Sequence, residues 1–185
     1  MTVVQCMKQL LLFPSTQQQE PTAQVPEQVP PVPVFSVWKI FIDGASRNNP
    51  GPSGAGIYII RDELVAHTYG VFLGKKTNNE AEYLALLLGI FELKNMIKKG
   101  DLVVIISDSQ LLVLQISGMY KVKEPRLQQL YMLAKQLLSG MNYDIAHVLR
   151  EDNKHADALA NKGIDTKTAA PAHFIEFLQK HALSL

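Results

Sequence analysis

A chain of 185 residues, 47% of them hydrophobic, can bury one core and carry a short appendage. Its 18 Lys and Arg against 17 Asp and Glu leave a net charge of +1, so bulk charge advertises no nucleic-acid binder and any basic footprint must be local. A single cysteine, Cys6, excludes an intramolecular disulfide framework and a cysteine-based zinc site, and no apolar run is long enough for a bilayer span.

Residues 1–34 hold six of the ten prolines, set among glutamines and without glycine, a composition that predicts a disordered, extended tail. Its tip, with Met7, Leu10, Leu11, Leu12 and Phe13, is a candidate docking segment for a protein partner. Val3–Phe13 is interrupted by Gln5, Lys8 and Gln9 and lacks a small-residue cleavage site, so it is not read as a signal peptide. Residues 35–168 read as one globular domain, followed by a helical extension over 169–185.

From Val37 the periodicity tightens. Trp38, Ile40 and Ile42 share one face of a strand, with Val37, Lys39, Phe41 and Asp43 on the other, and the strand delivers Asp43 into a glycine-rich loop, Arg47–Gly54. Gly54–Arg61 and Leu64–Leu73 follow as strands joined by a short turn, which predicts an antiparallel meander. Thr77–Lys99 is helical and apolar on several sides, with Gly100 as its stop. Leu102–Ile106 is a continuous apolar run, as expected of a strand covered on both faces in a parallel arrangement. Helices over Gln110–Ile116 and Glu124–Ser139, a strand over Tyr143–Leu149, a helix over Asn153–Lys162 ended by Gly163, and an amphipathic helix over Ala172–Ala182 complete the pattern. The order predicts an α/β fold with a five-stranded mixed sheet, three antiparallel strands and then two parallel ones, flanked by helices.

Four places in this plan put acids where elements begin or end. Asp43 closes the first strand, Asp108 follows the fourth, Glu80 and Glu82 open the buried helix, and Asp157 lies in the first turn of the late helix. Each has a local alternative. Asp108 or Ser107 can cap a helix, Asp157 suits the positive helix end, and Asp43 can form a turn. The two glutamates separate on this ground. Thr77-Asn78-Asn79-Glu80 matches a capping box, which occupies Glu80 and leaves Glu82 without a structural role, beside Ala85, Leu86 and Gly89 where a sheet edge can approach. Capping does not account for acids at two strand ends and two helix starts of one domain. Carboxylates gathered without cysteine are the environment for Mg²⁺ or Mn²⁺, and no GxxxxGK[ST] loop points to a triphosphatase.

The ordered set Asp43-Gly44-Ala45-Ser46 with Asn49-Pro50-Gly51, Thr77-Asn78-Asn79 with Glu82, Ser107-Asp108-Ser109-Gln110, and Asn153 with Ala156-Asp157 and Leu159-Ala160 resembles type 1 ribonuclease H, from about Trp38 to Gly163. The resemblance implies a ribonuclease H-like fold and an endonuclease that hydrolyses the RNA strand of RNA–DNA hybrids with two divalent ions, Mg²⁺ or Mn²⁺, leaving 3′-hydroxyl and 5′-phosphate ends. It implies that Asp43, Glu82, Asp108 and Asp157 are the metal-binding carboxylates. Gly44, Ser46, Asn49, Asn79 and Gln110 match residues that meet the minor groove or backbone near the cut, and Thr77 with Lys75 matches a pocket for a phosphate of the DNA strand. The alternatives are a non-catalytic domain that binds hybrids or duplex RNA, and a related nuclease with another substrate.

Two departures stand out. The mobile histidine of many relatives has no counterpart in the short stretch His147–Asn153. There His147 is expected to pack within its strand, His155 to face solvent, and Arg150 or Glu151 to serve as auxiliary groups. The basic, Trp-containing protrusion is reduced to Ser117–Glu124, leaving Lys121, Lys123 and Arg126 as phosphate contacts. Compact forms of the family also occur as reverse-transcriptase domains, for which the proline-rich lead-in would be a tether; the overall expectation is a self-standing, cytoplasmic monomer with no membrane partner.

Overall fold

The computed structural model describes residues 35–185, so the reading of residues 1–34 as a disordered tail with a docking tip lies outside the described residues. Five strands, β1 (Val37–Ser46), β2 (Gly51–Arg61), β3 (Leu64–Lys76), β4 (Leu102–Ser107) and β5 (Asn142–His147), form one sheet in the order β3-β2-β1-β4-β5. β1 to β3 pair antiparallel, and β4 and β5 add in parallel on the other side of β1, as expected. The helices are α1 (Asn78–Lys94), α2 (Gln110–Ile116), α3 (Pro125–Leu138), α4 (Lys154–Thr166) and α5 (Ala172–Lys180).

The alternation along β1 decides which face is core. Trp38, Ile40 and Ile42 are buried, and Gly89 of α1 meets Ile40 and Ile42. α1 buries 13 of its 17 residues, because the sheet lies on one side and α3 on the other. Its start is fixed by the expected capping box. Thr77 Oγ1 accepts from the Glu80 N–H at 3.2 Å, and Glu80 Oε2 accepts from the Thr77 N–H at 2.8 Å. α4 covers β1 to β3 on the opposite face, and it lies close because both surfaces are small. A side chain at Gly56 would collide with the carbonyl of Ala156.

Several boundaries move from their sequence-based positions. α1 ends at Lys94 instead of Lys99, because the N–H groups of Asn95, Met96 and Ile97 return to Glu92 and Leu93 and Asp101 accepts from Lys98 N–H at 3.0 Å. β1 continues past Asp43 to Ser46, so the acid sits inside the ladder opposite Gly56. β5 stops at His147 instead of Leu149, and a 3₁₀ turn follows over Arg150–Asp152. Gly163 does not end α4. It lies within the helix, where the backbone of Val71 leaves no room for a Cβ, and the helix closes with Lys167 at φ 48°. The cap of α2 is Ser109, not Ser107 or Asp108.

α5 joins the same core. Phe174 and Leu178 are fully buried, Phe91 packs against Phe174 and Phe177, and His173 Nε2 lies 2.7 Å from Glu92 Oε1. Among the described residues no helix is long and apolar enough to cross a membrane.

Candidate active site

The acids meet where β1, β4 and two helix starts come together. Parallel pairing of β1 with β4 sets Ile42 beside Ser107, which brings Asp43 and Asp108 alongside one another just beyond that pair. Gly44 supplies the second approach. A Cβ there would strike the backbone of Ala81 and Glu82, so only glycine lets α1 come this close to β1. One carboxylate oxygen from each of Asp43, Glu82 and Asp108 then lies within 4.8 Å of the other two. They open onto a cleft of about 380 Å³ whose walls include Gly44, Ser46 and Arg150.

Asp157 is not one of this close set. It lies in the first turn of α4, half-buried, paired with the Arg150 guanidinium and 3.4 Å from Asn161 Nδ2. The sequence therefore located four acids, of which three are brought together and the fourth is held at the rim by an arginine. Glu80 stays in its capping box, as its spacing predicted. Burial that would raise its pKa is outweighed by the Thr77 N–H and hydroxyl, which lower it.

Two of the clustered acids, Asp43 and Glu82, are buried against like charge. Asp43 is 6% exposed, and burial, then the charges of Asp108 and Asp157, raise its pKa to about 7 against the pull of Arg150 and the Gly44 N–H. Glu82 is pushed well above the usual carboxylate range by burial and by Asp43 and Asp108, and its Oε2 has no hydrogen-bond partner. A buried carboxylate oxygen without a donor is costly unless a proton or a cation serves it. Hard oxygen donors of this kind, close together and open on one side, suit a small divalent cation.

The other predicted residues form the surroundings. The Ser46 N–H donates to Asn78 Oδ1 at 3.1 Å and its hydroxyl to the Lys76 carbonyl at 2.8 Å, so its side chain ties β1 to the approach of α1. Asn49 Oδ1 accepts from the Asn78 N–H at 2.9 Å, which joins the glycine-rich loop to the same helix start. Asn49, Thr77 and Asn79 line a second cleft together with Arg126. Lys75 is exposed on the adjoining surface beside Asn48 and Pro50 and does not line that cleft. Gln110 is exposed at the first position of α2, and Glu151 is exposed in the 3₁₀ turn.

His147 departs from expectation. It ends β5 exposed, not packed, with Nε2 3.2 Å from the Asp108 carbonyl oxygen. His155 faces solvent as expected and stacks on Tyr58, with ring centroids 4.7 Å apart. Sequence reasoning passed over Asn153 as a site residue. It is 1% exposed, and its side-chain nitrogen lies 2.8 Å from Asp108 Oδ1. Its place in the ordered motif with Ala156 and Asp157 pointed to it without a role, and an asparagine at a helix start reads as a cap.

Comparison with known proteins bears on the same residues. A family model described as reverse transcriptase-like matches residues 41–163, which include all four acids. Ribonuclease HI of Halobacterium salinarum is 36% identical over 127 residues, covering 68% of this chain and 63% of the relative, so the chain spans under two thirds of that protein. A ribonuclease H of Paracidovorax citrulli is 32% identical over 143 residues, covering 68% of this chain and 93% of the relative. Among solved structures, LC11-RNase H1 in complex with an RNA/DNA hybrid matches with a TM-score of 0.67 at 35% identity, over 70% of this chain and 97% of that one.

Proposed function

The chain belongs to the type 1 ribonuclease H family, and from that premise we propose that it is a divalent-metal endonuclease cutting the RNA strand of RNA–DNA hybrids to 3′-hydroxyl and 5′-phosphate ends. The observation that carries the reading is the cluster of Asp43, Glu82 and Asp108, two of them buried and one, Glu82, with an oxygen that has no partner. A domain that merely bound nucleic acid would gain nothing from negative charge gathered against a phosphate chain.

The residues divide the work. Asp43, Glu82 and Asp108 would hold the cation pair, and Asp157 would join them on leaving Arg150. Mg²⁺ or Mn²⁺ bound there would supply an activated water and neutralise charge at the leaving oxygen. Arg150, freed from Asp157, meets negative charge on the substrate, with exposed Glu151 beside it as an auxiliary group. Gly44, Ser46, Asn49, Asn79 and Gln110 present backbone and short polar groups to the shallow minor groove of the hybrid. That groove displays the 2′-hydroxyls that distinguish RNA from DNA, so such contacts select by sugar and not by base. Thr77, with Lys75 near it, holds a phosphate of the DNA strand.

The test is cleavage of an end-labelled hybrid in Mg²⁺ and in Mn²⁺, with Asp43→Asn as control and duplex RNA and branched DNA alongside. Hybrid cleavage that the substitution abolishes is the expected result. Binding without turnover in either metal would make the domain a binder, and cleavage of another member of the panel alone would reassign the substrate.

A further inference from the structure

An asparagine that opens a helix ordinarily turns its side chain onto the free N–H groups of its own first turn. Asn153 opens α4 and does not, since the helix starts with no side-chain cap. Its amide reaches instead to two other elements. Nδ2 donates to the main-chain oxygen of Ile42 on β1 at 2.9 Å and to Asp108 Oδ1, beyond the end of β4, at 2.8 Å. Both acceptors are oxygens, so the amide can sit only one way round, because a flip would set oxygen against oxygen. Asn153 Oδ1 is left buried without a partner. The chain thus accepts an uncapped helix and an orphaned acceptor in exchange for these two bonds.

We propose that Asn153 is a positioning residue for the metal site. Its amide fixes the rotation of the Asp108 carboxylate, occupying one oxygen and leaving the other for a cation. The second bond, to Ile42, grips β1 one residue before Asp43. The Asn153 carbonyl accepts from the Asp157 N–H at 3.1 Å, which sets the start of α4 in the same frame. The buried side chain therefore holds Asp108 against the strand that carries Asp43, and the main chain of the same residue sets the start of the helix that carries Asp157. It touches neither substrate nor metal. The proposal rests on the metal-nuclease reading.

Two variants separate positioning from helix starting. Asn153→Ala removes both donated bonds. Asn153→Ser gives α4 a side-chain cap it otherwise lacks, but its hydroxyl is too short to reach Ile42 and Asp108 together. Metal-free melting is measured first, then Mg²⁺ titration of the protein alone by amide chemical shifts, then kcat and KM on a hybrid across Mg²⁺ concentrations. Asn153→Ser is expected to recover the melting temperature lost in Asn153→Ala. Both variants should need about 10–100-fold more Mg²⁺ for half-saturation, the usual effect of removing a partner of a metal ligand. kcat should fall by a similar factor at fixed Mg²⁺, with KM for the hybrid changed by less than about twofold. An unchanged Mg²⁺ midpoint in Asn153→Ala, or its full restoration by Asn153→Ser, would overturn the proposal and leave Asn153 as the start of a helix. A wild-type protein that titrates with Mg²⁺ but spares hybrids would sink the substrate assignment while leaving this comparison intact. One whose spectrum ignores Mg²⁺ would overturn both.

Discussion

Asp43 and Glu82 serve the proposed chemistry at a cost to the metal-free fold, and the cost has a sign. Asp43 titrates near 7 when folded, because burial and its acidic neighbours disfavour the anion, against 3.8 for the unperturbed group. Between these values the unfolded chain has released a proton that the folded one retains, so stability falls as pH rises through the window, by about 1.4 kcal/mol per pH unit for each such carboxyl. Metal-free protein should therefore lose stability from about pH 4 to about pH 7 in urea titrations, and saturating Mg²⁺ should flatten the slope. Cleavage should rise with pH across the region near 7, as cation and proton compete for the same oxygens. Asp43→Asn should lower kcat at least about a thousandfold, the several kcal/mol that a lost metal ligand withdraws. The same variant should stabilise the metal-free protein at pH 8, read as a higher denaturant midpoint, because a buried like-charge contact is gone.

At the scale of elements, two devices bring α1 to the site. The capping box sets where the helix begins, and hence where Glu82 points. Thr77→Ala should cost about 1 kcal/mol in chemical denaturation and weaken hybrid binding as well, since Thr77 also lines the second cleft. Gly44 sets how near α1 lies to β1. Gly44→Ala must push the two apart, which should cost about 1–3 kcal/mol of stability as an overpacked core does, and should lower kcat further than stability alone explains because Glu82 moves away from Asp43. Gly163 obeys the same logic on the other face, where it keeps α4 against β3.

For the whole molecule, balanced charge with a few exposed cations predicts how it meets nucleic acid. With about three cations, such as Lys75, Lys121 and Arg126, each on a phosphate, hybrid affinity should fall roughly 40-fold between about 50 and about 200 mM salt, measurable by fluorescence anisotropy. α5 lies beyond the family-matched stretch yet shares the core. Phe174→Ala should cost about 3–5 kcal/mol in thermal or chemical unfolding, with activity per folded molecule retained at low temperature, because α5 supplies no group to either cleft walled by the predicted site residues.

Much of this was legible in the chain itself. Alternation along Trp38–Asp43 and the unbroken apolar run at Leu102–Ile106 reported strand type, since each depends on whether a face meets water or another layer. The Thr77–Glu80 spacing assigned one glutamate to the cap and left Glu82 for the site, because a capping box is local and closes within one turn. Contacts between distant segments were not legible. Gly163 reads as a helix stop in sequence and is a helix interior in space, since only Val71, more than ninety residues earlier, forbids a side chain there. Asn153 reads as a cap and instead braces Asp108, and Asp157 stands apart in the grip of Arg150. Periodicity and capping are written in neighbouring residues, which is why the chain alone determined its elements and its acids. The distances among those acids depend on how close two backbones can come, and that is settled only when α1 and α4 pack against the sheet.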